Sequence, residues 1–194
     1  MQETALFPKV TFDGEATLAA RAKHDRQAFG ELYDRCVDSI YRFCLRRLGS
    51  VPDAEDATAH VFAKALAAMP RFRGGSFQGW LFAIANHVVV DAYRTGRSHA
   101  PLIAAEGVFD PDPGPEEEVV QLEAARSIRA VLSQLSPDQR RVLELRLAGL
   151  SGVEIARVLG RSHGTVRNLQ HRTLVRLRDL LGVPGTDQDG GRAS

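Results

Sequence analysis

This chain of 194 residues has little cysteine, no long apolar run, no alternating strand pattern and a net charge of only +1. The two cysteines, Cys36 and Cys44, are too few for a disulfide-stapled scaffold. Eight residues apart on one helix, they would stand about 12 Å from each other, beyond disulfide reach. They read instead as small buried hydrophobes in a reducing cytoplasm. No apolar stretch approaches the roughly 18–20 residues of a membrane span. The first twelve residues lack the basic start and apolar core of a signal peptide, so a cytoplasmic protein without a membrane span is expected. A content of 44% hydrophobic and 25% charged residues is that of an ordinary globular chain.

The near-zero net charge conceals an uneven distribution. Between Gln139 and Arg178 stand nine arginines against two acids, Glu144 and Glu154. Between Ala104 and Glu123 stand seven acids and no Lys or Arg. A basic C-terminal block points to a polyanion partner for that part of the chain alone.

Helical periodicity dominates, which predicts an all-α fold of two small helical domains. Asp25 caps a long helix with the apolar face Phe29, Leu32, Tyr33, Cys36, Ile40, Phe43 and Cys44, ended by Gly49. After Pro52 a second helix carries Ala57, Val61, Phe62, Ala65, Leu66 and Met69 up to Pro70, with Asp53, Glu55 and Asp56 on the first turn, where the helix dipole favours acids. An Arg-, Gly- and aromatic-rich loop, Arg71 to Gly79, precedes a third helix from about Trp80 to Tyr93. These elements make an N-terminal domain over 16–98. Residues 99–123, rich in proline and acid, read as a flexible linker. A second domain spans 124–182, and 183–194 read as a disordered tail.

The second domain carries the most specific pattern. Ser136-Pro137-Asp138-Gln139 and Ser151-Gly152-Val153-Glu154 are two capping boxes, each opening a helix. Gly160 suits the left-handed conformation of a tight turn, and Ser162 caps the helix that follows. Two helices joined by a short turn containing Gly form a helix-turn-helix. Ala156 is small where the helices cross and Val166 is apolar where the second packs on the first. Arg167, Asn168, His171 and Arg172 then face outward, and such a helix sits in the major groove with its first residues at base edges. Arg pairs with guanine and Asn with adenine, while Arg140, Arg141, Arg157, Arg161 and Arg176 suit phosphates, and Ser162 and Thr165 at the helix start belong to the same DNA-binding set. A bland three-helix bundle with a solvated basic face would not need both capping boxes, this spacing and the arginine excess together.

The run Asp53 to Leu66, the run Arg71 to Ala85 and Asp91-Ala92-Tyr93-Arg94 resemble region 2 of the extracytoplasmic-function sigma factors. Leu135 to Val142 and the helix-turn-helix with Gly164-Thr165-Val166-Arg167 resemble region 4 of that family. The resemblance implies an alternative sigma factor that binds core RNA polymerase and directs promoter-specific initiation. Region 2 would meet the clamp helices through Asp53, Asp56, Ala59 and His60, and capture the melted minus-ten strand through Arg71, Phe72, Arg73, Ser76, Phe77, Asn86, His87 and Arg94, although Phe72 and Phe77, like Trp80 and Phe82, read more readily as core side chains than as base platforms. Ala59-His60 and Asn86-His87 stand where the family usually carries Gln-Glu and Arg-Asn. Region 4 would bind the polymerase flap and read the minus-thirty-five element. An anti-sigma factor is a further expected partner. No catalytic residue, cofactor or metal is implied. Asp56 and His60 share a helix face at i, i+4, but no third or fourth metal ligand accompanies them. The competing reading is a helix-turn-helix regulator with a helical sensor domain that never touches core polymerase.

Overall fold

The computed structural model describes residues 14–95, 128 and 130–182. The linker and tail expected at 99–123 and 183–194 lie outside the described residues. Among those described there are seven α-helices with printed bounds here and no strand: α1 Glu15–Arg21, α2 Arg26–Leu48, α3 Val51–Ala68, α4 Phe77–Arg94, α5 Pro137–Leu147, α6 Gly152–Leu159 and α7 His163–Leu181.

The helix boundaries follow from local capping chemistry. Asp25 accepts from the Gln27 amide at 2.8 Å to start α2, and Gly49 ends it in the left-handed conformation at φ 71°, a region open to glycine at no steric cost. Ser50 caps α3 through the Asp53 amide. Pro70 follows the last turn of α3 within a short 3-10 segment, Met69–Arg71, because proline cannot donate to a continuing helix. The third helix starts three residues earlier than its apolar pattern predicts. Ser76 accepts from the Gly79 amide at 3.0 Å, so Phe77 to Gly79 are the first turn of α4 rather than loop. The helix α1 has no counterpart in the sequence reading; it buries Leu18 and Ala19 against its neighbours, and its Glu15 carboxylate accepts from the Gln78 amide at 3.0 Å. That places an acid on an otherwise unpartnered N–H at the positive end of α4.

The core of the N-terminal helices is built from the predicted faces. Phe29, Leu32, Cys36, Ile40, Phe43 and Cys44 of α2 are buried with Ala57, Val61, Phe62 and Ala65 of α3 and with Phe77, Leu81, Phe82, Ala85, Val88 and Val89 of α4. Phe43 and Phe82 meet edge to face at 5.4 Å. Tyr33 and Leu66 sit at the margin of that core and are exposed, the Tyr33 ring leaning on Phe62 at 4.6 Å. Burial pushes the Cys36 thiol up to about 12 and the Cys44 thiol up to about 11 from an ordinary 9.0. The thiolate population therefore falls about a thousandfold and a hundredfold respectively. Both cysteines are expected to be silent to a thiol reagent at pH 8 in the native protein and to react together on denaturation, which a colorimetric thiol titration with and without guanidinium measures.

The C-terminal helices do not form a separate core. Val142, Leu145, Leu150, Ile155, Ala156, Val158, Val166 and Leu169 join the same continuous apolar cluster as the N-terminal helices, with α4 packed along α6. Polar contacts reinforce the junction. Gln78 Nε2 donates to the Ala148 carbonyl at 2.7 Å and Asn86 Nδ2 to the Val158 carbonyl at 3.1 Å. Those two carbonyls lie at the C-terminal ends of α5 and α6, where helix carbonyls have no intrahelical partner.

Candidate nucleic-acid interface

The two capping boxes form as the sequence predicts. Ser136 accepts from the Gln139 amide while Gln139 Oε1 accepts from the Ser136 amide at 2.8 Å, and Ser151 with Glu154 does the same, the latter at 2.6 Å. Gly160 closes α6 at φ 62°. The start of α6 presses closely on α7, since a Cβ on Gly152 would come within 3.2 Å of His163 Nε2 and 3.3 Å of Gln170 Oε1. Ser162 caps α7, accepting from the Thr165 amide at 3.2 Å.

The period of α7 separates two faces. Val166, Leu169 and Thr173 are buried, at i, i+3 and i+7, against the preceding helices. Ser162, Thr165, Arg167, Asn168, His171, Arg172 and Arg176 are exposed, as are Arg157 on α6 and Arg161 in the turn. Asn168, His171 and Arg172 line a shallow open depression. Arg161 Nη2 is held 2.8 Å from Asp138 Oδ2, which fixes this arginine at the turn.

The residues named for the N-terminal site divide differently. Arg71, Arg73, His87 and Arg94 are exposed, and Ser76 and Asn86 are half-buried. Phe72 and Phe77 are core side chains, only 5% and 0% exposed. Their rings stack around Trp80, at 5.1 and 5.7 Å. They hold the loop in shape and do not present a ring for base stacking. Ser76 is engaged as the cap of α4. His87 Nδ1 lies 2.7 Å from the Ala83 carbonyl and Arg94 Nη2 lies 3.3 Å from Asp91 Oδ1. Along α3, Asp56, Ala59 and His60 form an exposed strip with half-buried Asp53 at its N-terminal end.

One cluster was not visible in the sequence. Arg46 Nε lies 2.5 Å from Glu144 Oε1, joining α2 to α5. Beside it Arg47 is buried, its guanidinium 5.8 Å from the Phe43 ring centre, with no acceptor for Nε or Nη2. Burial, and then the neighbouring Arg141, hold its pKa below the usual arginine value. Burial pushes the Glu144 carboxyl up, against the pull of Arg46, Arg47 and Arg141.

Comparison with known proteins decides the family. A sequence model of Sigma-70 region 2 matches residues 32–99 and one of Sigma-70, region 4 matches residues 125–177. The ECF RNA polymerase sigma factor SigD of Mycobacterium tuberculosis is 34% identical over 190 residues, covering 92% of this chain and 90% of SigD. The chain is an extracytoplasmic-function sigma factor. The sigma factor BldN of Streptomyces coelicolor is 33% identical over 162 residues, covering 81% of this chain; the chain spans only 61% of BldN. A solved structure of CnrH in complex with the cytosolic domain of CnrY superposes with TM-score 0.60 at 28% identity, covering 89% of this sigma factor and 100% of CnrH. The all-α architecture and the helix-turn-helix agree with that family. A regulator with a helical sensor domain is not favoured. No helix among the described residues is long and apolar enough to cross a membrane.

Proposed function

We propose that this sigma factor binds core RNA polymerase in the cytoplasm and directs initiation at a specific promoter class, with no reaction of its own. The proposed units are 16–98 for polymerase docking and minus-ten capture, 99–123 as tether, 124–182 for the flap and the minus-thirty-five element, and 183–194 as tail. The observation that carries this reading is α7. Its buried Val166–Leu169–Thr173 side fixes the helix, and its exposed side presents Arg167, Asn168, His171 and Arg172 together. That set matches the donor and acceptor edges of a major groove. Arg157, Arg161 and Arg176, with Ser162 and Thr165, flank it and serve phosphate contacts that position the helix.

Asp53, Asp56, Ala59 and His60 form the strip assigned to the clamp helices. Arg71, Arg73, Asn86, His87 and Arg94 supply the polar contacts to the melted strand, on a loop braced from behind by Phe72 and Phe77. Ser76 sets the start of α4 and so the pose of that loop. An anti-sigma factor is the expected regulatory partner, a reading supported by the capture of CnrH with the cytosolic domain of CnrY.

Transcription by core polymerase over a promoter library, with and without the purified chain, is the direct test. Chain-dependent transcripts sharing one minus-thirty-five sequence are expected, and an inert chain that also fails to retain core enzyme in a pull-down would refute the reading. In that assay Arg167→Ala and Arg172→Ala are each expected to weaken minus-thirty-five recognition by about 1–3 kcal/mol and to relax base preference at one position. Arg176→Ala should weaken all sequences alike and lower the salt dependence. Fluorescence anisotropy on matched and mismatched duplexes separates the two effects.

A further inference from the structure

Among the described residues Arg47 is the one arginine withdrawn from solvent, only 6% exposed. Phe43 lies under its guanidinium, 5.8 Å from ring centre to the central carbon. Its Nε and Nη2 are buried without an acceptor. Those two N–H groups form one parallel edge of the guanidinium fork, the edge that meets two oxygens of one anion at once. Buried donors left without a partner are rare in protein interiors, and a charged one is rarer.

The groups around Arg47 do not supply the missing oxygens. Glu144 is the acid that attracts it, but Glu144 Oε1 is taken by Arg46 Nε at 2.5 Å. The Tyr93 hydroxyl donates to the backbone carbonyl of Arg47 and leaves the guanidinium unserved. Asp91, two residues before Tyr93, is paired with Arg94. On the other side stands Arg141 of α5, a like charge that works against the protonated form of Arg47. The sequence reading gives Arg141 to a phosphate of DNA; here it stands beside Arg47.

Three arginines, Arg46, Arg47 and Arg141, thus act on a single acid, Glu144. Arg46 offsets that acid, and burial raises its carboxyl toward the neutral form, so it opposes an incoming anion little. A water molecule could fill one donor position but would leave the excess positive charge in place. A tetrahedral oxyanion supplies two oxygens to the edge of Arg47, further oxygens to Arg141, and the compensating charge. Arg46 and Arg141 are half-buried and reach solvent, and the rapid rotamer exchange of such side chains gives a small ion a way in.

We propose that the corner between α2, α4 and α5 is a binding site for an oxyanion of the phosphate class, held by both free N–H groups of Arg47 and by Arg141. Arg46 serves as a positioning residue that keeps Glu144 off that edge. The site is separate from the promoter-reading face of α7, and Arg47 has no part in the contacts assigned to DNA or polymerase.

The test is thermal melting of the full-length chain while sodium phosphate replaces sodium chloride at constant ionic strength, with phosphorus-31 line broadening as the direct reading of binding. The melting temperature is expected to rise saturably, by about 3–6 °C at ten times the half-saturating concentration. ATP is the second probe. Saturation at lower ATP than inorganic phosphate assigns the site to a phosphate ester, and the reverse order assigns it to the free ion. Arg47→Met replaces the buried charge by an apolar chain of similar length, so in chloride it should melt no lower than the wild type. Its melting temperature should no longer respond to phosphate. Arg47→Lys keeps the charge but loses the fork, and should need on the order of 10-fold more phosphate for the same rise. A rise that follows ionic strength alone, or one that persists in Arg47→Met, would overturn the site, the latter by placing phosphate on other arginines. Should Arg47→Met fail to fold, an unchanged phosphate dependence in Arg47→Lys would overturn it equally.

Discussion

Phe77→Ala is expected to lower the unfolding free energy by about 3–5 kcal/mol, in the range of a buried phenylalanine truncated to alanine. For a chain of this length that corresponds to a melting temperature roughly 6–20 °C lower. The ring is 0% exposed and packs on Phe72 at 6.1 Å and Trp80 at 5.7 Å, so its removal leaves a cavity under the first turn of α4. The loss is intrinsic to the free protein and needs no DNA to appear, as urea unfolding followed by circular dichroism would show. A base-stacking ring behaves in the opposite way. Its truncation leaves stability unchanged and weakens single-strand binding by about 1–3 kcal/mol. Unaltered stability with impaired strand binding would therefore return Phe77 to the DNA face. Arg71→Ala and Arg73→Ala, on exposed side chains of the same loop, should show that second pattern.

The helices were legible in the sequence wherever capping and periodicity agreed. Asp25, Gly49, Ser136, Ser151, Gly160 and Ser162 each act at the position their chemistry suggests. Where the signal was local and weak, it was missed. The helix α1 has only seven residues and is preceded by Gly14, which supplies no side-chain cap. The start of α4 was hidden because Arg71 to Ser76 has the composition of a loop, and a serine at its end reads equally as a loop hydroxyl or a cap. Phe72 and Phe77 were ambiguous for the same reason: an aromatic in a glycine-rich segment carries no period to say which way it faces.

The docking of the two halves left no trace in the sequence at all. Gln78 and Asn86 reach backbone carbonyls, which every residue possesses. Arg46 and Glu144 are 98 residues apart, on faces that otherwise read as solvated. Long-range contacts between single polar groups have no repeat to detect, whereas the two faces of α7 repeat every three to four residues and could be assigned outright.

That periodic assignment is tested most severely at Val166. Its side chain is 0% exposed, lies one residue before Arg167, and touches no nucleic acid on this reading. Val166→Asp buries a carboxylate in the apolar cluster that also holds Ile155, Val158 and Leu169. Burying an unpaired charge ranks with the most damaging single changes, on the order of 4–5 kcal/mol or more. The helix-turn-helix should lose its packing, and duplex binding should vanish although every outward arginine is retained. Val166→Ile keeps the chemistry and adds one methylene, an overpacking change of about 1–3 kcal/mol, and should preserve base preference. If instead Val166→Asp bound the minus-thirty-five duplex as the wild type does, with unchanged near-ultraviolet dichroism and melting, the inward face of α7 would be wrongly assigned. Arg167, Asn168, His171 and Arg172 would then lose the geometry that sets them toward the groove.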